Sequence, residues 1–112
     1  MQLRELIERL GLELFNDQVN TERAVTGGYT SDLLSDVMGN AREGEVWITL
    51  QSHMNVAAIA SLKDLPGVVL VKGTKPGSAM LQKATEEGIP VLGTPDSSFT
   101  ISGKIYEILK QR

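Results

Sequence analysis

Apolar residues recur at helical spacing at the start of the chain. Leu3, Leu6, Ile7 and Leu10 fall on one face with charged residues between them, which predicts an amphipathic helix ended by Gly11. Weaker patterns predict strands over residues 12–15 and 24–29, with a polar loop between them. This first part of the chain therefore supplies one helix and two short strands.

From residue 30 onward, short apolar runs alternate regularly with segments of helical spacing. The β-branched and aromatic runs at residues 46–50, 68–71 and 89–92 predict strands, and the run at 68–71 is apolar throughout, as in a strand buried on both faces. Helices are predicted around residues 33–38, 56–63, 81–88 and 99–109. Polar residues at 30–32 and at 97–98 are suitable N-caps, and glycines at 39, 67 and 88 mark helix or turn ends.

Strands that alternate with helices indicate βαβ units joined by right-handed crossovers. The sequence therefore predicts a single α/β domain over residues 1–112, with a mostly parallel sheet and flanking helices. Residues 1–11 are predicted to form an N-terminal helix of this domain. Trp47, in the middle of a strand, is expected in the core or at a subunit interface.

Composition narrows the function classes. The chain has 112 residues, 41% of them hydrophobic, and a net charge of −3, which argues against a basic nucleic-acid-binding face. It has no cysteine, which excludes disulfides, thiol catalysis and a thiolate-held iron–sulfur cluster.

Charges interrupt the first ten residues and the apolar runs are short, so neither a signal peptide nor a membrane helix is predicted. We expect a cytoplasmic protein without a cofactor.

The polar turns that follow the strands are the candidate site. Ligands of open α/β sheets bind outside the carboxyl ends of the strands, where helix N-termini can hold a phosphate or carboxylate. The alternative is that these are ordinary capping and turn residues with no ligand. The candidate ligand-binding residues are Gly28, Tyr29, Ser31, Asp32, Gln51, His53, Asn55, Lys72, Gly73, Ser97 and Ser98.

Catalytic and metal motifs are not found. The segment from Gly39 to Gly44 is followed by Glu45 instead of the lysine of a Walker A loop. His53 is the single histidine, and it either contacts a ligand or is satisfied by backbone. Asp32 and Asp36, at i and i+4, resemble a carboxylate pair but are also typical of a capping acid beside a solvated one. We predict no catalytic residue and no metal ligand.

Four segments carry a resemblance to a known family. They are Gly-Tyr-Thr-Ser-Asp-Leu-Leu-Ser-Asp-Val-Met from residue 28, Trp-Ile-Thr-Leu-Gln from residue 47, residues 62–71 and residues 86–92. Over about residues 25–109 the chain resembles the DRTGG domain family, which is itself similar to the N-terminal domain of HPr kinase/phosphorylase. The Asp-Arg pair that names the family is replaced by the turn at residues 52–55, and the Thr-Gly-Gly is replaced by Lys72-Gly73-Thr74.

The resemblance implies a non-catalytic accessory module. Domains of this family contribute subunit contacts and regulation to larger enzymes, and small stand-alone members accompany iron–sulfur hydrogenases. We therefore expect a regulatory module that binds a small anion, such as a nucleotide or a phosphorylated metabolite. It is expected to act as a homodimer through exposed apolar surface such as Trp47 or the terminal helices. The alternatives are a small phosphotransferase-type enzyme that uses the His53 turn with Lys72, and a structural adaptor for an iron–sulfur hydrogenase or another redox-enzyme partner.

Overall fold

The structure, a computed structural model that describes residues 1–111, contains five strands and five helices. The strands are β1 (Glu13–Leu14), β2 (Gly27–Thr30), β3 (Glu45–Thr49), β4 (Val68–Leu70) and β5 (Val91–Gly93). The helices are α1 (Leu3–Leu10), α2 (Leu34–Asn40), α3 (Met54–Leu62), α4 (Ser78–Glu86) and α5 (Ser98–Lys110). Among residues 1–111, no helix combines the length and the hydropathy needed to cross a bilayer.

The strands form one sheet in the order β1-β5-β4-β3-β2. Strands β2 to β5 are parallel, and their register places Tyr29 opposite Trp47 and Trp47 opposite Val68. Strand β1 is antiparallel to β5, with Glu13 opposite Gly93. The predicted α/β domain with a mostly parallel sheet is confirmed.

Helices cover both faces of the sheet. Helices α2, α3 and α4 pack on the face that carries Trp47, Val68 and Leu70. Helices α1 and α5 pack on the other face, against Ile48 and Val69. Every residue of β4 is fully buried, so the apolar run at 68–71 is a central strand, as predicted.

Most helix ends lie where the sequence places them. Gly11 and Gly88 adopt positive φ angles of 62° and 73° just beyond α1 and α4, a backbone conformation that glycine tolerates best. Ser97 caps α5, where its hydroxyl accepts a 3.2 Å hydrogen bond from the amide of Thr100. The cap of α2 was predicted wrongly: its N-cap is Leu33, without a side-chain cap.

Trp47 belongs to the core. Its side chain is fully buried, and its indole Nε1–H donates a 2.8 Å hydrogen bond to the carbonyl of Ser31. A buried indole is satisfied when its N–H finds an acceptor, as it does here. The core interpretation is confirmed, and a subunit contact through Trp47 is excluded.

Candidate functional site

Gly28 and Tyr29 were predicted to lie in a turn but belong to strand β2, whereas the other predicted site residues lie after parallel strands or in the first turn of the next helix. Because β2, β3, β4 and β5 are parallel neighbours, their carboxyl ends and the turns that leave them lie along one edge of the sheet. We call this the carboxyl edge, formed by residues 31–33, 50–53, 71–77 and 94–97. The α/β sheets of other proteins bind their ligands at the corresponding edge.

Asp32 ties two of these turns together. Its Oδ1 accepts a hydrogen bond of 2.8 Å from the hydroxyl of Thr49 and one of 2.7 Å from the amide of Leu50. Thr49 is fully buried at the end of β3, so the bond reaches into the core. Asp32 therefore acts first as a structural link between β2 and β3, instead of capping α2.

The turns after β4 and β5 are also joined. The amide of Lys72 donates to the carbonyl of Asp96 at 2.8 Å, and the amide of Gly73 donates to the carbonyl of Thr94 at 2.9 Å. The amide of Thr74 donates to the carbonyl of Val71. These amides are already occupied, so an anion at this turn would have to be held by side chains.

Lys72 has an unusual backbone for a lysine. Its φ is 58°, a left-handed conformation that costs a residue with a Cβ about 1–2 kcal/mol. Lys75 and Lys104, nearby in sequence or space, pair with Glu13 and Asp96 at 3.6 and 2.8 Å. Within residues 1–111, the exposed Lys72 ammonium has no carboxylate within ion-pair distance.

His53 is the N-cap of α3. Its Nδ1 accepts a 3.1 Å hydrogen bond from the amide of Asn55, so the neutral ring carries its proton on Nε2. The ring is held by backbone, and Nε2 remains available on an exposed side chain. The side chains of Gln51 and Asn55 are exposed beside it, and Ser98 is half-buried at the start of α5.

The hydroxyl of Tyr29 is bound to helix α2. Its hydroxyl donates a 2.8 Å hydrogen bond to Asp36, which also accepts one from Asn40. Hydrogen bonding from Ser31, Tyr29 and Asn40 lowers the pKa of Asp36, and the bond to Asp36 raises the pKa of Tyr29. Asp32 and Asp36 thus have separate partners and do not act as a carboxylate pair.

Two cavities in the described part of the chain are lined by predicted site residues. A groove of about 710 Å³ runs between β2 and α5, and Gly28 is the one predicted site residue that lines it. A smaller cavity of about 260 Å³ is lined by Gly73, Lys75 and Phe15. Sequence reasoning missed Phe99 and Tyr106, which line the larger groove and are 89% and 66% exposed.

Metal binding is not indicated within residues 1–111, where no group of three or more histidine or carboxylate side chains converges. The carboxylates of Asp32 and Asp96 at the carboxyl edge are engaged in hydrogen bonds and an ion pair, and the other groups that this edge offers are a lysine ammonium, an imidazole, amides and hydroxyls. These are donors that suit an anionic or polar small molecule.

Comparison with known proteins agrees with this architecture. Neither a scan of protein-family models nor a search of curated proteins gives a match. Among solved structures, the chain is similar to the CBS and DRTGG domains of the regulatory region of Clostridium perfringens pyrophosphatase, crystallised with the activator diadenosine tetraphosphate. The two share 23% identity with a TM-score of 0.70, over 91% of this chain and 44% of that one. The chain thus spans less than half of the solved region, and the likeness shows that it has a DRTGG-related fold.

Proposed function

We propose that this chain is a non-catalytic regulatory module of the cytoplasm that acts as a homodimer and binds a nucleotide or a phosphorylated metabolite at the carboxyl edge. The proposal is supported by the fold, which is similar to that of a regulatory region whose pyrophosphatase has a nucleotide activator. It is also supported by the four turns that meet at one edge and offer hydrogen-bond donors there.

The main support for a bound ligand is the left-handed backbone of Lys72 together with its ammonium, which has no carboxylate partner within the described residues. A lysine in a left-handed backbone costs free energy that glycine would not, and its ammonium is left without a carboxylate within the described chain. Strained backbone of this kind clusters at ligand-binding and catalytic sites. An anion at this turn would pair with the ammonium.

The remaining donors of the edge fit the same ligand. His53 presents Nε2 from the turn after β3, next to the Lys72 turn because β3 and β4 are neighbours. Gln51, Asn55 and Ser98 add uncharged groups at the same edge. Asp32 and Ser97 contribute by fixing the turns, since both side chains are already engaged in hydrogen bonds.

A thermal-shift panel of nucleotides and phosphorylated metabolites tests the proposal. A ligand of the folded state at 100 times its Kd adds about 2.7 kcal/mol of stability, which raises Tm by several degrees. Lys72→Gly should be at least as stable as the wild type, because it relieves the left-handed backbone, yet should lose the shift. Lys63→Ala, at the C-cap of α3 on the opposite edge, is the charge-matched control and should keep it.

Two outcomes would contradict the ligand proposal. If no compound of the panel shifts the wild type, the carboxyl edge does not bind a ligand of this class, and the adaptor alternative is favoured. If Lys72→Gly responds as the wild type does, the lysine has no part in binding.

A further inference from the structure

The groove between β2 and α5 has an exposed aromatic wall. Phe99 and Tyr106 are 89% and 66% exposed on the side of α5 that lines it, whereas Ile105 is buried beneath them. The floor is formed by Gly27 and Gly28 of β2, which present no side chain. Exposed aromatic side chains beside a groove are typical of an interaction site.

Gly103 is the second unusual feature of this wall. It lies in the interior of α5, where glycine weakens a helix relative to alanine. Among residues 1–111, no atom beyond its two neighbours and the adjoining backbone of α5 lies within 4 Å of the position that a Cβ would occupy, so the fold does not require a glycine there. A glycine is needed if another chain approaches the helix closely at that point.

The pattern on α5 is self-complementary. Phe99, Gly103 and Tyr106 share one face of the helix, and the two aromatic side chains lie on either side of Gly103. A two-fold axis near Gly103 makes two copies of α5 cross in antiparallel directions, with Phe99 of one copy opposite the partner's Tyr106. Each aromatic side chain then enters the glycine-floored groove of the other copy.

From these features we infer that the occupant of the β2–α5 groove is a second copy of this chain, joined through antiparallel α5 helices that cross at Gly103. A specific dimer buries about 800 Å² on each partner, which is about one-seventh of the 5733 Å² surface of this chain. Two aromatic side chains supply about a third or more of that area, so the contact must extend beyond them. This inference rests on the homodimer of the proposed function and assigns its interface.

Substitutions at the crossing point test the inference in the full chain by sedimentation equilibrium. Gly103→Arg fits the monomer because the space beside Gly103 is open. The variant should therefore still fold, with the circular dichroism spectrum of the wild type. In the dimer it blocks the crossing, so the dissociation constant should rise at least about tenfold. Phe99→Glu, on the exposed aromatic wall, should have the same effect and leaves Gly103 unchanged.

Two matched variants serve as controls. Gly39→Arg places the same side chain at a glycine of α2 that also has open space, on the opposite face of the sheet. Leu62→Glu changes an apolar residue that is 69% exposed at the end of α3. Both should leave the dissociation constant of the dimer unchanged.

A cysteine provides a positive test, because the chain has none. Gly103→Cys should form an intermolecular disulfide under mild oxidation, since a crossing at this residue brings the two Cα atoms close to the roughly 4.4–6.8 Å that a disulfide requires. Gly39→Cys should form none above the level expected from random collision.

The results distinguish the proposed interface from the proposal that the chain forms a homodimer. A wild type that stays monomeric at tens of micromolar overturns both, and the groove then belongs to a different chain. A dimeric wild type whose Gly103→Arg and Phe99→Glu variants remain dimeric overturns this interface and leaves the homodimer in place.

Discussion

The phenol of Tyr29 donates a 2.8 Å hydrogen bond to the carboxylate of Asp36 and so joins the edge strand β2 to helix α2. Both residues carry titratable groups, and each changes the pKa of the other. The pKa of Asp36 lies below its ordinary value of 3.8, with hydrogen bonding from Ser31 and Tyr29 as the largest causes. The pKa of Tyr29 lies above its ordinary value of 10.0, with the bond to Asp36 as the largest cause.

Tyr29→Phe should therefore reduce stability in a pH-dependent way. The lowered pKa of Asp36 stabilises the fold above pH 3.8, and this contribution disappears as the pH falls through the folded-state pKa. The raised pKa of Tyr29 stabilises the fold below pH 10.0, and this contribution disappears as the pH rises through its folded-state pKa. Urea unfolding at neutral pH should show the variant less stable, with the difference shrinking at both extremes.

Tyr106→Phe is the control for this experiment. It removes the same hydroxyl from a side chain that is 66% exposed, and should leave the pH profile unchanged. It also leaves Tyr29 as the one remaining tyrosine, so absorbance of tyrosinate reports its titration alone. A midpoint at or below 10.0 would show that the bond to Asp36 is absent in solution.

Removal of the Asp32 carboxylate should loosen the carboxyl edge. Asp32→Ala leaves the buried hydroxyl of Thr49 and the amide of Leu50 without their acceptor, which should cost about 1–2 kcal/mol in urea unfolding. Asp32→Asn keeps an acceptor oxygen and should cost less. Asp17→Ala, in the exposed loop before β2, is the matched control, and an equal loss in that variant would contradict the structural role of Asp32.

The buried side-chain amide of Asn16 binds the backbone where β5 begins. The side chain of Asn16 donates to the carbonyl of Ile89 at 2.9 Å and accepts from the amide of Val91 at 2.9 Å. Asn16→Ala leaves both buried backbone groups unpaired and should cost about 2–3 kcal/mol. Asn20→Ala, at an exposed position of the same loop, should cost no more than about 0.5 kcal/mol. Similar losses for both would mean that water replaces the Asn16 amide.

The sequence predicts the parts of this fold that depend on near neighbours. The apolar run at 68–71 and the cap at Ser97 need only adjacent positions to identify them, and both are confirmed. The role of Asn16 depends on residues more than 70 positions away, which periodicity does not encode. The residue therefore looks like any polar loop residue.

The candidate site shows the same division. The alternation of strands and helices predicts that the turns after the parallel strands lie at the same edge of the sheet. It does not predict that Asp32 turns from its own helix to Thr49, nor that α5 leaves Phe99 and Tyr106 exposed. The first depends on how β2 pairs with β3, and the second on how α5 packs against β2, and both are decided by the packing of whole elements.

The contact between Phe15 and Gly93 gives the last prediction. A Cβ at position 93 would lie 2.6 Å from Cε2 of Phe15, so Gly93→Ala should displace the ring from β5 and from the Lys75 ammonium above it, at a cost of about 1–3 kcal/mol. In a Phe15→Leu background the same substitution should cost less, because the shorter side chain leaves room, and a double-mutant cycle in urea measures that coupling. Gly77→Ala, where a Cβ meets no atom within 4 Å, is the control. Equal costs of Gly93→Ala in both backgrounds would show that the ring does not occupy this position in solution.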